Sequence, residues 1–452
     1  MASRVALAAV LLVASACRTR TAGAPDVAPA TAFAPEPAGR RVPSLFGMHV
    51  GAVADLDGDA AEDLAVGDPD AGGTAEGALH FYSSRTGAYL GSIAGRGADD
   101  VIGTLFTELP RFGEEGLPML VVVARGCLWT GRGNHDVWNQ SSSQLLACDP
   151  QRLAWSPRSW TAPPGERVFA LVAASAPDGE PTDDVVATLV GMRESVSVGR
   201  VVRIDIRRGL LEWGCAPPRV GRAFGEVLAL VADSNDDGVH EIFTTQNESM
   251  GVCGYLLDGA SGTVLTRAIL EESTWCTALS SCRAADVDRD GMPEVAIAIS
   301  DAGDVSTTPR SVLLVSPRTL AIVGRIEAPT EEERTGSMQF GFSMSAVPDL
   351  DGDGEVELLI ASRTNGLQPL RGRARVFAST DGSVLHEWSA NGGFGWSCAV
   401  LRDARCPSAW RAAVSAFVIE YPALGERVEL LDASRPSQSV LRAPGFVARP
   451  VR

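Results

Sequence analysis

The chain has 452 residues, 45% of them hydrophobic, and carries a formal charge of −17 from 56 acidic against 39 basic side chains, every one of the latter Arg. Such a length buries one large core or two to three ordinary ones, and the apolar content excludes a disordered acidic chain. A balance this negative argues against nucleic-acid backbones and anionic membrane surfaces as main partners.

Taken in chain order, Arg4 and the apolar run over residues 5–14 read as an export signal covering residues 1–16. The run is too short to span a bilayer as a permanent helix. It ends Ala14-Ser15-Ala16-Cys17, which resembles a bacterial lipobox and makes Cys17 the expected lipidation site. The alternative is an ordinary small-residue cleavage site. Residues 17–43 are rich in Ala and Pro and read as a disordered tether, leaving 44–452 as the folded part. The expectation is an exported, monomeric outer-membrane or cell-surface lipoprotein that meets the membrane only through its lipid. Secretion or a periplasmic location is the alternative.

Beyond the tether, four acidic segments share one template, with oxygen side chains at loop positions 1, 3, 5 and 9. They are Asp55, Asp57, Asp59 and Asp63; then Asp233, Asn235, Asp237 and Glu241. The third is Asp286, Asp288, Asp290 and Glu294, and the last Asp349, Asp351, Asp353 and Glu357. An apolar stretch follows each, and Phe46-Gly47, Phe224-Gly225 and Phe340-Gly341 each stand nine residues before a first Asp. Weaker copies fill the gaps. Asp178, Glu180 and Asp184 keep positions 3, 5 and 9; residues 105–124 keep only the apolar frame; Phe394-Gly395 precedes Asp403 without further ligands. Seven units of roughly 58 residues result. Within units, segments such as 78–83 with 86–90, 252–257 with 262–265, and 373–378 with 382–385 read as hairpins around Gly-containing turns. About four short strands per unit describes a propeller blade, so the expected fold is all-β, a seven-bladed β-propeller whose ring leaves few sheet edges exposed.

The spacing of the acids has a chemical reason. Alternate side chains of a tight loop point inward, and carboxylates with a backbone carbonyl can wrap a hard cation in oxygen. Ca²⁺ tolerates the irregular coordination such a loop offers, whereas Mg²⁺ demands a stricter octahedron. Four Ca²⁺ sites are expected, with a fifth at the weaker Asp178–Asp184 loop, and the acidity is thereby largely local. An EF-hand is excluded: it needs an acid at position 12, where Val66, Thr244, Ile297 and Ile360 stand, and its flanks are helical.

Phe-Gly, nine residues to Asp-x-Asp-x-Asp, then an acid and an apolar strand, resembles the FG-GAP repeat of integrin α-subunit heads and the related VCBS repeats of exported bacterial proteins. That resemblance covers nearly all of residues 43–452. It implies a seven-bladed propeller with calcium-binding hairpin loops along its lower rim. The ligand-contacting loops of integrins have no recognisable counterpart, so integrin-type adhesion does not carry over.

Eight further cysteines fall into neighbouring couples: Cys127 with Cys148, Cys215 with Cys253, Cys276 with Cys282, and Cys398 with Cys406. Local disulfides are the expectation for an exported chain; buried thiols are the alternative. No catalytic motif appears. Gly395-Trp396-Ser397 and Gly341-Phe342-Ser343 fail the nucleophile-elbow pattern, and His49, His80, His135, His240 and His386 read as lying in separate units. Trp129, Trp138, Trp155 and Trp160 read as loop residues. Blade packing is the favoured role for the tryptophans; the alternative is an aromatic platform for a sugar or protein partner. The functional expectation is a non-catalytic, calcium-stabilised extracellular propeller that binds a protein or glycan. Alternatives are a polysaccharide lyase or hydrolase on the same scaffold, and a purely structural surface component.

Overall fold

The computed structural model describes residues 45–441 except 73, 114–115, 126–141, 175–181, 194–195, 218, 220, 223, 273–275, 302–309, 335–337, 365–370, 391–393, 407–408, 417–426 and 433–437. Cys17, Cys127, Trp129, His135, Trp138, Asp178 and Glu180 lie outside the described residues.

The described strands form seven antiparallel sheets, each following the chain: blade 1 (50–94), blade 2 (106–161), blade 3 (166–215), blade 4 (221–271), blade 5 (276–327), blade 6 (338–390) and blade 7 (398–441). The first strands of the blades neighbour one another in order, and the first strand of blade 7, Cys398–Arg402, neighbours Val50–Val53 of blade 1, so the ring closes. The all-β, seven-bladed propeller expected from the repeats is therefore the fold.

Period-two alternation explains where the core sits. In Asp63–Asp68, Leu64 and Val66 pack toward blades 6 and 7, while Ala65 between them packs toward Phe106 and Leu120 of blade 2. A strand that is buried on both faces must be apolar throughout, and Val295 to Ile299 of blade 5 shows this pattern. Other clusters join blades 2 with 3, 3 with 4, 4 with 5, and 5 with 6. The core is thus a ring of interfaces between blades.

The Phe-Gly pairs are the stitches of that ring. Each Phe is fully buried and meets an aromatic ring on the third strand of its own blade edge-on: Phe46 with Tyr82, Phe224 with Tyr255, Phe340 with Phe377. Each Gly takes a left-handed φ, +84° at Gly47, +81° at Gly225 and +73° at Gly341. Gly225 N–H donates to Thr245 O of its own blade, and its carbonyl accepts from Thr188 Oγ1 of the preceding one at 2.6 Å. Gly47 repeats this across the closing seam, accepting from Ser415 Oγ of blade 7 at 3.1 Å.

No strand is exchanged between blades 1 and 7, because each takes all four of its strands from one end of the chain. The seam is held instead by the bridge Ala61–Asp403, by Glu62 with Arg402, and by Arg85, which pairs with both Asp59 and Asp403.

Three sequence expectations change here. No disulfide joins Cys215 to Cys253, Cys276 to Cys282, or Cys398 to Cys406. Cys276 and Cys282 lie six residues apart on one strand, about 20 Å at 3.3 Å per residue, beyond the roughly 7 Å a disulfide reaches. Arg402 faces Trp410 at the turn that holds Cys406, and Cys398 faces Val414 at the far end of that hairpin. Cys215 and Cys253 belong to different blades and pack in one cluster, where Cys253 Sγ also accepts from the Arg267 guanidinium at 3.1 Å. Burial pushes the Cys148 and Cys398 thiols up to about 12, as befits inert core residues. Secondly, Trp155 and Trp160 stand on the strand Ala154–Thr161, and Trp160, Trp388, Trp396 and Trp410 are buried, which is the packing role. Thirdly, His49 and His80 share blade 1, although they meet different partners: the Phe106 carbonyl for His49, Asp68 for His80.

Candidate metal centres on one rim

All four acidic loops connect the first strand of a blade to its second, in blades 1, 4, 5 and 6, so they lie at one rim of the ring. Strands flank them on both sides, and position 12 lies inside a buried strand in each, in keeping with the exclusion of an EF-hand.

Their backbone geometry is shared. Position 4 is left-handed in all four (Gly58, Asp236, Arg289, Gly352), and so is position 6 (Ala60, Gly238, Gly291, Gly354). The two reversals turn successive N–H groups inward onto the carboxylates. The position-6 N–H donates to the first Asp at Asp55, Asp233, Asp286 and Asp349, at distances of 2.7 to 3.1 Å. The position-2 N–H of Leu56, Ser234, Val287 and Leu350 donates to the terminal acid at 2.7 or 2.8 Å. Asp59, Asp237, Asp290 and Asp353 each accept from position 7.

The turn between third and fourth strands reaches the same loop, a contact that sequence reasoning missed. Arg85 pairs with Asp59, Arg318 with Asp290 at 3.3 Å, and Thr380 Oγ1 donates to Asp353 at 3.0 Å. In blade 4 the Asn235 amide reaches Asp258 at 3.1 Å.

Oxygen donors converge. One oxygen each from Asp349, Asp351, Asp353 and Glu357 lie within 4.8 Å of one another, as do those of Asp55, Asp57 and Asp63, and of Asp286, Asp288 and Asp290. The terminal acids Asp63, Glu241, Glu294 and Glu357 are buried beneath the loops. Glu241 Oε1 accepts no hydrogen bond there. Desolvation, and then repulsion from the loop aspartates, pushes Asp63 up to about 6 and Glu357 up to about 7. Desolvation likewise raises Glu241 and Glu294. Clustered hard oxygens in blades 1, 5 and 6, an orphaned buried carboxylate oxygen in the blade 4 loop, and acids that resist ionising together are donor sets suited to a divalent cation.

In the weaker copies the described acids are met by arginines, as Asp59 and Asp290 are by Arg85 and Arg318. Asp184 begins the strand Asp184–Arg193 and pairs with Arg203, whose Nε donates to it at 2.7 Å. Asp403 is held below the usual carboxylate range by the Arg405 N–H and then by Arg85. A guanidinium thus stands beside these acids.

Two further titratable groups sit where blades 1 and 2 meet. Glu108 accepts from Ala54 N–H at 2.8 Å, and burial, reinforced by Glu62, pushes it up to about 7. His49 Nε2 lies 3.2 Å from the Phe106 carbonyl, and burial holds it down to about 4. Neither carries a sequence signal beyond its residue type.

No protein-family model matches the chain, and no curated protein matches it. Among solved structures it is similar to one titled "Structure of Dos1 propeller", at 11% identity over 82% of this chain and 74% of that one, TM-score 0.46. It is also similar to the hydrazine synthase of Kuenenia stuttgartiensis, at 12% identity over 90% of this chain and 99% of that one, TM-score 0.48. The second is an enzyme by name, and a propeller scaffold is compatible with catalytic and non-catalytic work alike.

Proposed function

We propose that this chain is a non-catalytic, calcium-stabilised propeller of FG-GAP or VCBS type. It is carried outside the cell on a lipidated Cys17, where it binds a protein or glycan partner. The observation that carries the calcium reading is the repeated loop with its buried terminal acid, above all Glu241 Oε1, which is buried without a hydrogen bond. Asp55, Asp57, Asp59 and Asp63 and their counterparts in blades 4, 5 and 6 would hold the ions. Bound Ca²⁺ would supply the charge that lets each terminal acid ionise.

A cation that binds only the folded chain stabilises it by RT ln(1 + [L]/Kd), about 2.7 kcal/mol per site at a hundredfold excess over Kd. The melting temperature should therefore fall when calcium is chelated and recover on its return. A melt indifferent to chelation would end the calcium reading. Glycan-array and pull-down binding, measured with calcium present, test the partner; if nothing is retained, that half fails separately.

A further inference from the structure

On the second strand of blade 6, Glu357–Thr364, the side chains of Leu359 and Ala361 pack in the cluster shared with blade 7. Arg363 continues that face by strand alternation and ends it. It lies six residues from Glu357, about 20 Å along the strand, at the rim opposite the acidic loops. Its guanidinium sits 4.1 Å from the Phe342 ring centroid and 4.0 Å from that of Trp396, with one ring from each of blades 6 and 7. Both rings are themselves buried. Nε donates to Gln339 Oε1.

Among the described residues Arg363 has no counter-charge. Several recessed arginines meet carboxylates: Arg375 meets Glu333 and Glu387, Arg267 meets Glu248, and Arg203 meets Asp184. Buried Arg310 and Arg167 instead donate to the backbone carbonyls of Met338 and Arg125. Among the described residues no carboxylate pairs with Arg363, and its two terminal nitrogens make no hydrogen bond. Desolvation draws its pKa down to about 9, which leaves it charged at neutral pH. The Phe342 and Trp396 rings, whose centroids are 5.0 Å apart, lie on adjoining sides of the guanidinium, and Gln339 takes one edge. The remaining edge, with its two parallel donors, is the geometry that grips a planar or tetrahedral oxyanion.

We infer that Arg363 anchors an oxyanion-binding site where blades 6 and 7 meet at the rim opposite the acidic loops, taking a carboxylate, phosphate or sulfate group of a ligand. Cation–π contacts fix the fork in place beforehand, so that binding costs little side-chain order. Nothing in this site involves the acidic rim, and the inference stands apart from the calcium reading.

The test uses the full chain with calcium held constant, and titrates glucuronate, inorganic phosphate and sulfate against chloride at equal ionic strength. Calorimetry and the melting temperature report binding. At least one of the three should bind saturably and raise the melting temperature, and the one preferred identifies the source of the oxyanion. Arg363→Gln should weaken that binding about tenfold or more, as loss of a charge-assisted pair implies. Arg363→Lys keeps the charge without the fork, so it should fold and bind several-fold more weakly; it decides the matter if Arg363→Gln does not fold. Binding of none of the three anions, or equal binding by wild type and both variants, would overturn the site.

Discussion

Ala60 occupies position 6 of the first acidic loop at φ +67°, where the other three loops place glycine. A Cβ in left-handed backbone costs roughly 1–2 kcal/mol, and glycine gives back part of that in chain entropy. Ala60→Gly should therefore raise stability by about 0.5–1 kcal/mol, read as a shift of the urea midpoint at saturating calcium. An unchanged or lower midpoint would mean that the loop accommodates Ala60 without strain. Glu108 sets a pH dependence of opposite sign to that of most surface acids. Its folded pKa of about 7 lies above its ordinary 4.5, so folding favours the protonated form. That contribution is complete below pH 4.5 and is lost as pH rises through 7. Relative to wild type, Glu108→Gln should be neutral at the acid end and gain about 2 kcal/mol by pH 8. Parallel pH profiles of the two proteins would show that Glu108 ionises freely.

At the scale of the element, a hairpin loop and a Phe-Gly stitch place glycine at the same dihedral for different reasons. Gly58 and Gly225 both have φ +81°; a Cβ at Gly58 meets nothing within 4 Å, whereas at Gly225 it falls 2.5 Å from Thr188 Oγ1. Gly58→Ala should cost only the backbone term, about 1 kcal/mol with calcium saturating. Gly225→Ala adds overpacking and disturbs the Thr188 hydrogen bond between blades, for a total of about 3 kcal/mol. Denaturation of the two variants side by side measures the difference, and equal losses would remove the stitching role.

For the whole molecule, closure without strand exchange has a cost that appears when a blade is lost. One apolar cluster runs through blades 6, 7 and 1, holding Leu359 and Ala361 on one side and Val50, Leu64 and Val66 on the other. A chain ended after Ala390 would bare both faces at once, a patch far larger than soluble monomers expose. We expect it to be recovered in the insoluble fraction; a soluble, cooperatively melting six-blade product would contradict the closed-ring account.

Local pattern made much of this visible beforehand. Positions 1, 3, 5 and 9 of the loops, the two-sided apolar strands such as Val295–Asp301, and the Phe-Gly spacing are all set by period-two alternation and turn chemistry, which act within about ten residues. They determined the seven blades, the strands flanking each acidic loop and the placing of its acids. The tertiary structure alone decided what depends on contacts between distant segments. Cys276 and Cys282 are neighbours in sequence yet stand far apart on one extended strand. Arg85 crosses to Asp403 over the seam between the two ends of the ring. Arg363, Phe342 and Trp396 come together only because two blades meet there. Spacing along the chain specifies a repeat, but which side chain faces which across an interface follows from how the repeats pack.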